Sequence, residues 1–192
     1  MRTFEEMIRH FSELFPDIPS EELFAPAEPE DVDALAELFG GRAARVIEFY
    51  RQYEPQNLPM LPCYAGLCDI AGILAENCSE TGQYLAACGV FVIGTTVGGG
   101  LICIDTNEEQ NGDPSVRVMD HSFTYYDEET RCAKIFLWRG NWGDYGVDVS
   151  RDGMPEVTPA NIQRYSHRLS ESFTDFCYAL SVNRYDDIEE YL

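Results

Sequence analysis

The chain has 192 residues and sets 34 Asp+Glu against 13 Lys+Arg, a formal net charge of −21 at pH 7. That balance leaves no cationic groove to follow phosphates, so direct nucleic-acid binding is excluded, and with it a polybasic membrane anchor. At 45% hydrophobic and 12% aromatic residues, the chain is too apolar for a solvating acidic tail, and its length suits one folded domain.

Phe4, Met7, Ile8, Phe11, Leu14 and Phe15 recur at helical spacing, after a Thr3–Glu6 capping signature and before Pro16. They predict an amphipathic first helix. Four prolines across 16–29 mark a connector. Pro29-Glu30-Asp31 then opens a second helix, because proline suits the first turn and acids favour the positive end of the dipole. Val32, Leu35, Leu38 and Phe39 are its apolar stripe, and Gly40-Gly41 ends it. A third helix carries Val46, Ile47, Phe49, Tyr50 and Tyr53 up to Pro55, and a short fourth is expected at about 66–75.

The texture then changes. Short β-branched runs at 90–93 and 101–105, separated by glycines, predict a hairpin, and 116–119 predicts a third strand after the turn residues Asn111 to Pro114. A second hairpin is expected to run along 132–138, turn at Gly140-Asn141 and return through 142–149. Leu169, Phe173, Phe176 and Leu180 predict a closing helix capped by Ser172 with Asp175. Helices first, strands in the middle and a helix last predict an α+β fold. Its mainly antiparallel central sheet is flanked by N-terminal helices and the C-terminal helix. Residues 1–27 are expected to form a helix and connector, and 28–192 a single domain with a hairpin insertion at about 127–168.

No apolar leader stands out at the N-terminus, and no run of about 18 apolar residues occurs. The seven cysteines (63, 68, 78, 88, 103, 132 and 177) are odd in number, form no C-x-x-C and mostly sit beside apolar residues. Reduced, buried thiols in a cytoplasmic protein are the expectation, with one reactive or metal-bound thiol as the alternative.

Catalytic motifs fail in detail. Gly94 to Gly100 partly matches a phosphate loop, but Gly100 and Leu101 stand where Lys and Ser/Thr must neutralise phosphate and hold magnesium. A turn that needs positive φ explains these glycines without a ligand. Asp120-His121-Ser122 resembles a triad in miniature, yet consecutive strand residues point to opposite faces. No two carboxylates stand out as a general acid–base pair, and acidic runs such as Glu108-Glu109 and Asp127-Glu128-Glu129 are either solvated or partner-facing. The segment from Trp138 to Tyr145 combines Trp, Arg and Tyr, types that serve either hairpin packing or interface hot spots.

Three stretches, in this order, carry a family resemblance. Glu28-Pro29-Glu30-Asp31-Val32 through Leu38-Phe39-Gly40, then Arg45 to Tyr53, is similar to the opening helix pair of the SUKH superfamily (the Smi/Knr-like domain). Val90-Phe91-Val92-Ile93-Gly94 through Gly99-Gly100-Leu101-Ile102-Cys103-Ile104-Asp105 resembles its central hairpin, and Glu171-Ser172-Phe173-Thr174-Asp175-Phe176 through Leu180 its closing helix. Two features differ. Arg42-Ala43-Ala44 stands where the family commonly has Leu-Pro, and the stretch from about 127 to 168 is long.

The resemblance implies a non-catalytic binding domain, without cofactor or metal. Bacterial members are mostly immunity proteins that neutralise polymorphic-toxin domains, and fungal relatives are regulators linked to cell-wall synthesis. A basic, nuclease-type toxin would be the complementary partner for so acidic a chain. The expected contact residues are Asp105, Glu108, Glu109, Asp113, Asp127, Glu128 and Glu129, with Trp142. The competing expectation is a small cytosolic hydrolase or thiol enzyme built on a Cys/His pair, with His121 or His167, or on paired carboxylates. A regulatory adaptor without a toxin partner is a third.

Overall fold

The computed structural model describes residues 3–138, 145, 146, 148, 149 and 153–192. Local chemistry sets the first elements. Helix α1 (Phe4–Leu14) starts where the Thr3 hydroxyl accepts the Glu6 N–H, and it buries Phe4, Met7 and Phe11. The connector contains a short helix α2 (Ser20–Leu23) and a two-residue strand β1 (Phe24–Ala25). Helix α3 (Pro29–Leu38) begins with Pro29 in its first turn. Helix α4 (Ala44–Tyr53) leads into β2 (Glu54–Pro55), which pairs with β1.

The expected helix at 66–75 is corrected at its start. Ala65–Leu67 is a strand, β3, and helix α5 (Ile70–Cys78) follows once the Asp69 carboxylate accepts the Gly72 N–H. A further helix, α6 (Glu80–Ala87), is packed so close that a Cβ on Gly82 would lie 2.0 Å from the Glu76 carbonyl oxygen. Strands β4 (Val90–Thr96), β5 (Leu101–Gln110) and β6 (Asp113–Met119) form the expected antiparallel meander. Asn111 and Gly112 both have positive φ at the β5–β6 turn, as a two-residue hairpin requires.

The second hairpin departs from expectation. Strand β8 (Cys132–Ile135) pairs with β7 (Thr124–Asp127), which precedes it; the expected turn at 140–141 lies outside the described residues. Helix α7 (Pro159–Tyr165) and strand β9 (His167–Ser170) then lead to helix α8 (Phe173–Ser181). Leu169 therefore belongs to a strand rather than to the closing helix. Ser172 caps α8 by accepting the Asp175 N–H. A 3₁₀ turn at Glu189–Tyr191 follows.

The main sheet runs β3-β4-β5-β6-β9, with every neighbouring pair antiparallel. Both faces of its central strands are apolar because both are covered. Phe91, Ile93, Ile102, Ile104, Val116 and Val118 join the core built by α1, α3, α4 and α8. Phe49 is central there, with rings of Phe4, Phe24 and Phe173 at 5.2, 6.3 and 5.4 Å. The N-terminal 27 residues thus share the main core. Val90, Val92, Leu101, Cys103 and Met119 face the other way, against Leu85, Phe123, Ile135, Leu137 and Ile162. The molecule is an α+β fold around a mainly antiparallel sheet, and no helix among the described residues is long and apolar enough to cross a membrane.

Candidate protein-docking surface

Strand alternation places Asp105 and Arg117 on the second sheet face, beyond the apolar residues of that core. Asp105 is 0% exposed and Arg117 3%. Their Oδ2 and Nε lie 3.3 Å apart, an ion contact without hydrogen-bond alignment. Asp105 also accepts from the Asn107 backbone N–H, the Asn107 side-chain amide and Gln163. Arg117 donates to Glu108 at 2.8 Å, to the Gln163 carbonyl and to Ser166. Glu108 accepts as well from Ser115 and from Arg168, which also holds Glu171. Partial burial pushes the Glu108 carboxyl up, but the Arg117 hydrogen bond and charge outweigh it and leave its pKa below 4.5.

This network corrects part of the expected docking set. Asp105 is sealed inside, where no partner reaches it, because a buried carboxylate needs its counter-charge beside it. Glu108 is occupied by two arginines. Glu109 accepts the Ala43 N–H and Asp113 the Thr174 N–H, so each ties an inter-element contact at the start of a helix.

Asp127 ends β7, and Glu128 and Glu129, both exposed, occupy the turn that leads to β8. Asp127 accepts from Thr130 Oγ1 and from the N–H groups of Glu129 and Thr130. The Thr130 hydroxyl bond, the largest influence, leaves the Asp127 carboxyl below its ordinary value. Trp142 lies outside the described residues.

Beside these acids runs an aromatic ladder that the sequence did not single out. Tyr125 is opposite Lys134, so alternation puts Tyr125, Lys134, Phe136 and Trp138 on one side of the hairpin. Their rings step across it, Tyr125 to Phe136 at 6.5 Å and Phe136 to Trp138 at 5.2 Å, both edge-to-face. On the opposite side Tyr126 stacks over Tyr84 of α6, which pins the hairpin to the body. Trp138 is 60% exposed. An open hollow of about 510 Å³ is lined by His121, Ser122, Thr124, Tyr125, Phe136 and Trp138. A smaller recess of about 210 Å³ shares Phe136 and Trp138 and has Asp120 at its wall. The spacing 134, 136, 138 was the available signal.

The other expected chemistry resolves into structure. The glycine run 94–100 turns between β4 and β5 and is filled from within the chain: Glu189 accepts from both Thr96 Oγ1 and the Gly98 N–H. A Cβ on Gly98 would lie 2.5 Å from that carboxylate, and one on Gly100 would lie 2.6 Å from Leu192. In Asp120-His121-Ser122 the carboxylate is central, with Asp120 Oδ1 accepting from Ser122 Oγ at 2.5 Å and lying 3.4 Å from His121 Nδ1. A triad needs the imidazole between serine and carboxylate. All seven cysteines are free thiols, Cys78 exposed and Cys63, Cys103 and Cys177 buried. Burial pushes the Cys68 thiol up to about 11 and raises those of Cys63, Cys88, Cys103 and Cys177. Among the described residues, no group of three His, Cys, Asp or Glu could hold a metal ion.

Compared with known proteins, the chain matches no family model, no curated protein and no solved structure.

Proposed function

We propose that this chain is a non-catalytic protein-binding module for a basic partner, of the immunity type its SUKH-like sequence pattern implies. The partner would be a polymorphic-toxin domain. One observation supports the reading above the others. The exposed acids Glu128 and Glu129 stand at the tip of a hairpin whose outward side is the Tyr125–Phe136–Trp138 ladder. Acids at a rim steer an oppositely charged partner, while aromatic rings supply the desolvated area that holds it. The thiol-enzyme alternative loses ground because burial disfavours the thiolate at five of the seven cysteines.

The test is to read the neighbouring genes for a toxin domain, whose absence would count against the proposal, and to measure association kinetics with that domain across a salt series. Exposed charges are screened beyond about 8 Å at physiological ionic strength. The triple variant D127N/E128Q/E129Q should associate about ten-fold more slowly at low salt and show a flatter salt dependence. W138A should instead raise the dissociation rate. An association rate indifferent to both salt and the triple variant would overturn the proposal.

A further inference from the structure

The smaller recess lies between β6, β8, the α7–β9 junction and the 3₁₀ turn at the C-terminal end. Phe123, Phe136, Trp138, Tyr145, Tyr165 and Tyr191 line it. Its volume of about 210 Å³ falls below the roughly 300–1,000 Å³ of sites for drug-sized ligands, so it suits a single side chain. Two edge-to-face pairs among the lining residues, Phe136–Trp138 at 85° and Tyr145–Tyr165 at 89°, set their rings at right angles. Asp120 is the one acid among the described lining residues, and no Lys or Arg stands among them. Its Oδ1 takes the Ser122 and His121 contacts, and no contact is made by Oδ2 among the described residues.

We infer that this recess is a cation site that takes an arginine side chain of the partner protein, its guanidinium against the aromatic rings and paired with Asp120. Ring faces attract a cation through their quadrupole, and a planar guanidinium can stack while it donates to a carboxylate. The chain already shows the affinity of this wall. Its own Arg164, which is not among the lining residues, rests 5.2 Å over the Tyr165 ring. His167, stacked on Tyr191 at 4.6 Å, adds no competing charge near neutrality, because burial and then Arg117 lower its pKa below 6.5. The hollow across the Phe136–Trp138 ridge has no acid among its described lining residues and is more open.

This inference rests on the docking proposal for its partner, but the site can be probed without one. The probe is N-acetyl-arginine N-methylamide titrated into the full chain by heteronuclear NMR, with the citrulline analogue as the uncharged isostere. Saturable shifts are expected at the Trp138 indole N–H and the Tyr165 and His167 amides, with none from citrulline. D120N retains an Oδ1 acceptor for Ser122 and should melt as the parent does, yet bind arginine about ten-fold more weakly. W138L, at an exposed position, should weaken it about three-fold. Absence of saturation, equal shifts from citrulline, or unchanged affinity in D120N would overturn the site. Loss of arginine binding with salt-steered toxin association intact defeats this inference alone. Arginine binding by a chain indifferent to basic partners defeats the docking proposal alone.

Discussion

Asn77 offers a stringent check on how the sheet is held. Its buried side chain reaches from α5 to β4, where its amide donates to the Val92 carbonyl and to the Ile73 carbonyl, each at 2.8 Å. Its Oδ1 accepts the Val92 N–H at 2.9 Å. Strand β3 pairs with β4 only over Gly94 to Thr96, so at Val92 the Asn77 amide takes the place of a neighbouring strand. In N77A the Ile73 carbonyl keeps its helical role, but the Val92 N–H and C=O are left without partners in the interior. An orphaned buried group costs about 1–3 kcal/mol, so the pair predicts a loss of about 2–5 kcal/mol. For a chain of this size that lowers the melting temperature by about 5–15 °C. Urea denaturation measures the loss, and amide exchange at Val92 localises it: that amide should exchange far faster in N77A, while those of Cys103 and Ile104 change only with global stability. A loss under about 1 kcal/mol, or unchanged protection at Val92, would refute the reasoning.

Two further outcomes are expected. The folded pKa of Glu108 lies below its ordinary 4.5, so the unfolded chain takes up the proton first as pH falls. The stabilisation from this group is complete above about pH 4.5 and is lost as pH drops through the folded value. E108Q should therefore be about 1–2 kcal/mol less stable than the parent at neutral pH, with the gap closing in acid; a gap that widens in acid would contradict the assignment. Among the thiols, Cys78 alone is exposed. A chromogenic disulfide reagent should show Cys78 as its fastest thiol, that phase being absent in C78S, with Cys63, Cys103 and Cys177 reacting only on unfolding.

Where the sequence was legible, the signal was local. Thr3 and Ser172 announce helix starts because a cap and its partner lie three residues apart, and Pro29 because its fixed φ suits the first turn. The β-branched apolar runs at 90–93 and 101–105 were readable for a similar reason, and such continuous runs fit strands with both faces buried. Strand β9 was not legible. His167–Ser170 is short and polar, and it exists because β6 offers it a ladder. Leu169, at helical spacing from Phe173 and Phe176, was drawn to the wrong element by that coincidence. Likewise β3 took Gly66 and Leu67 because Gly94 and Thr95 lie across from them, a pairing nearly thirty residues distant.

The acids divide along the same line. Glu128 and Glu129 lie on the turn after β7 and are exposed, as befits an acidic run at a turn, while Asp127 ends the strand. Asp105 ends an apolar strand in the same parity as Leu101 and Cys103, which pointed inward. Its exposure could not be judged without knowing that Arg117 stands opposite Cys103. The net charge is therefore a poor guide to how many carboxylates a partner can meet.

The glycine turn closed by Glu189 bears on how this chain can vary. A side chain at 98 would require the Glu189 carboxylate to shift, and one at 100 the Leu192 methyls and the Thr96 hydroxyl. Losing Glu189 would in turn leave the exposed Gly98 N–H to water and open the space beside it. These positions, about ninety residues apart, should drift through evolution as a linked set, so a homologue with a bulky residue at 98 should also have lost its acid at 189. The glycines that look like a loop for someone else's phosphate are a receptacle for the chain's own Glu189 and Leu192.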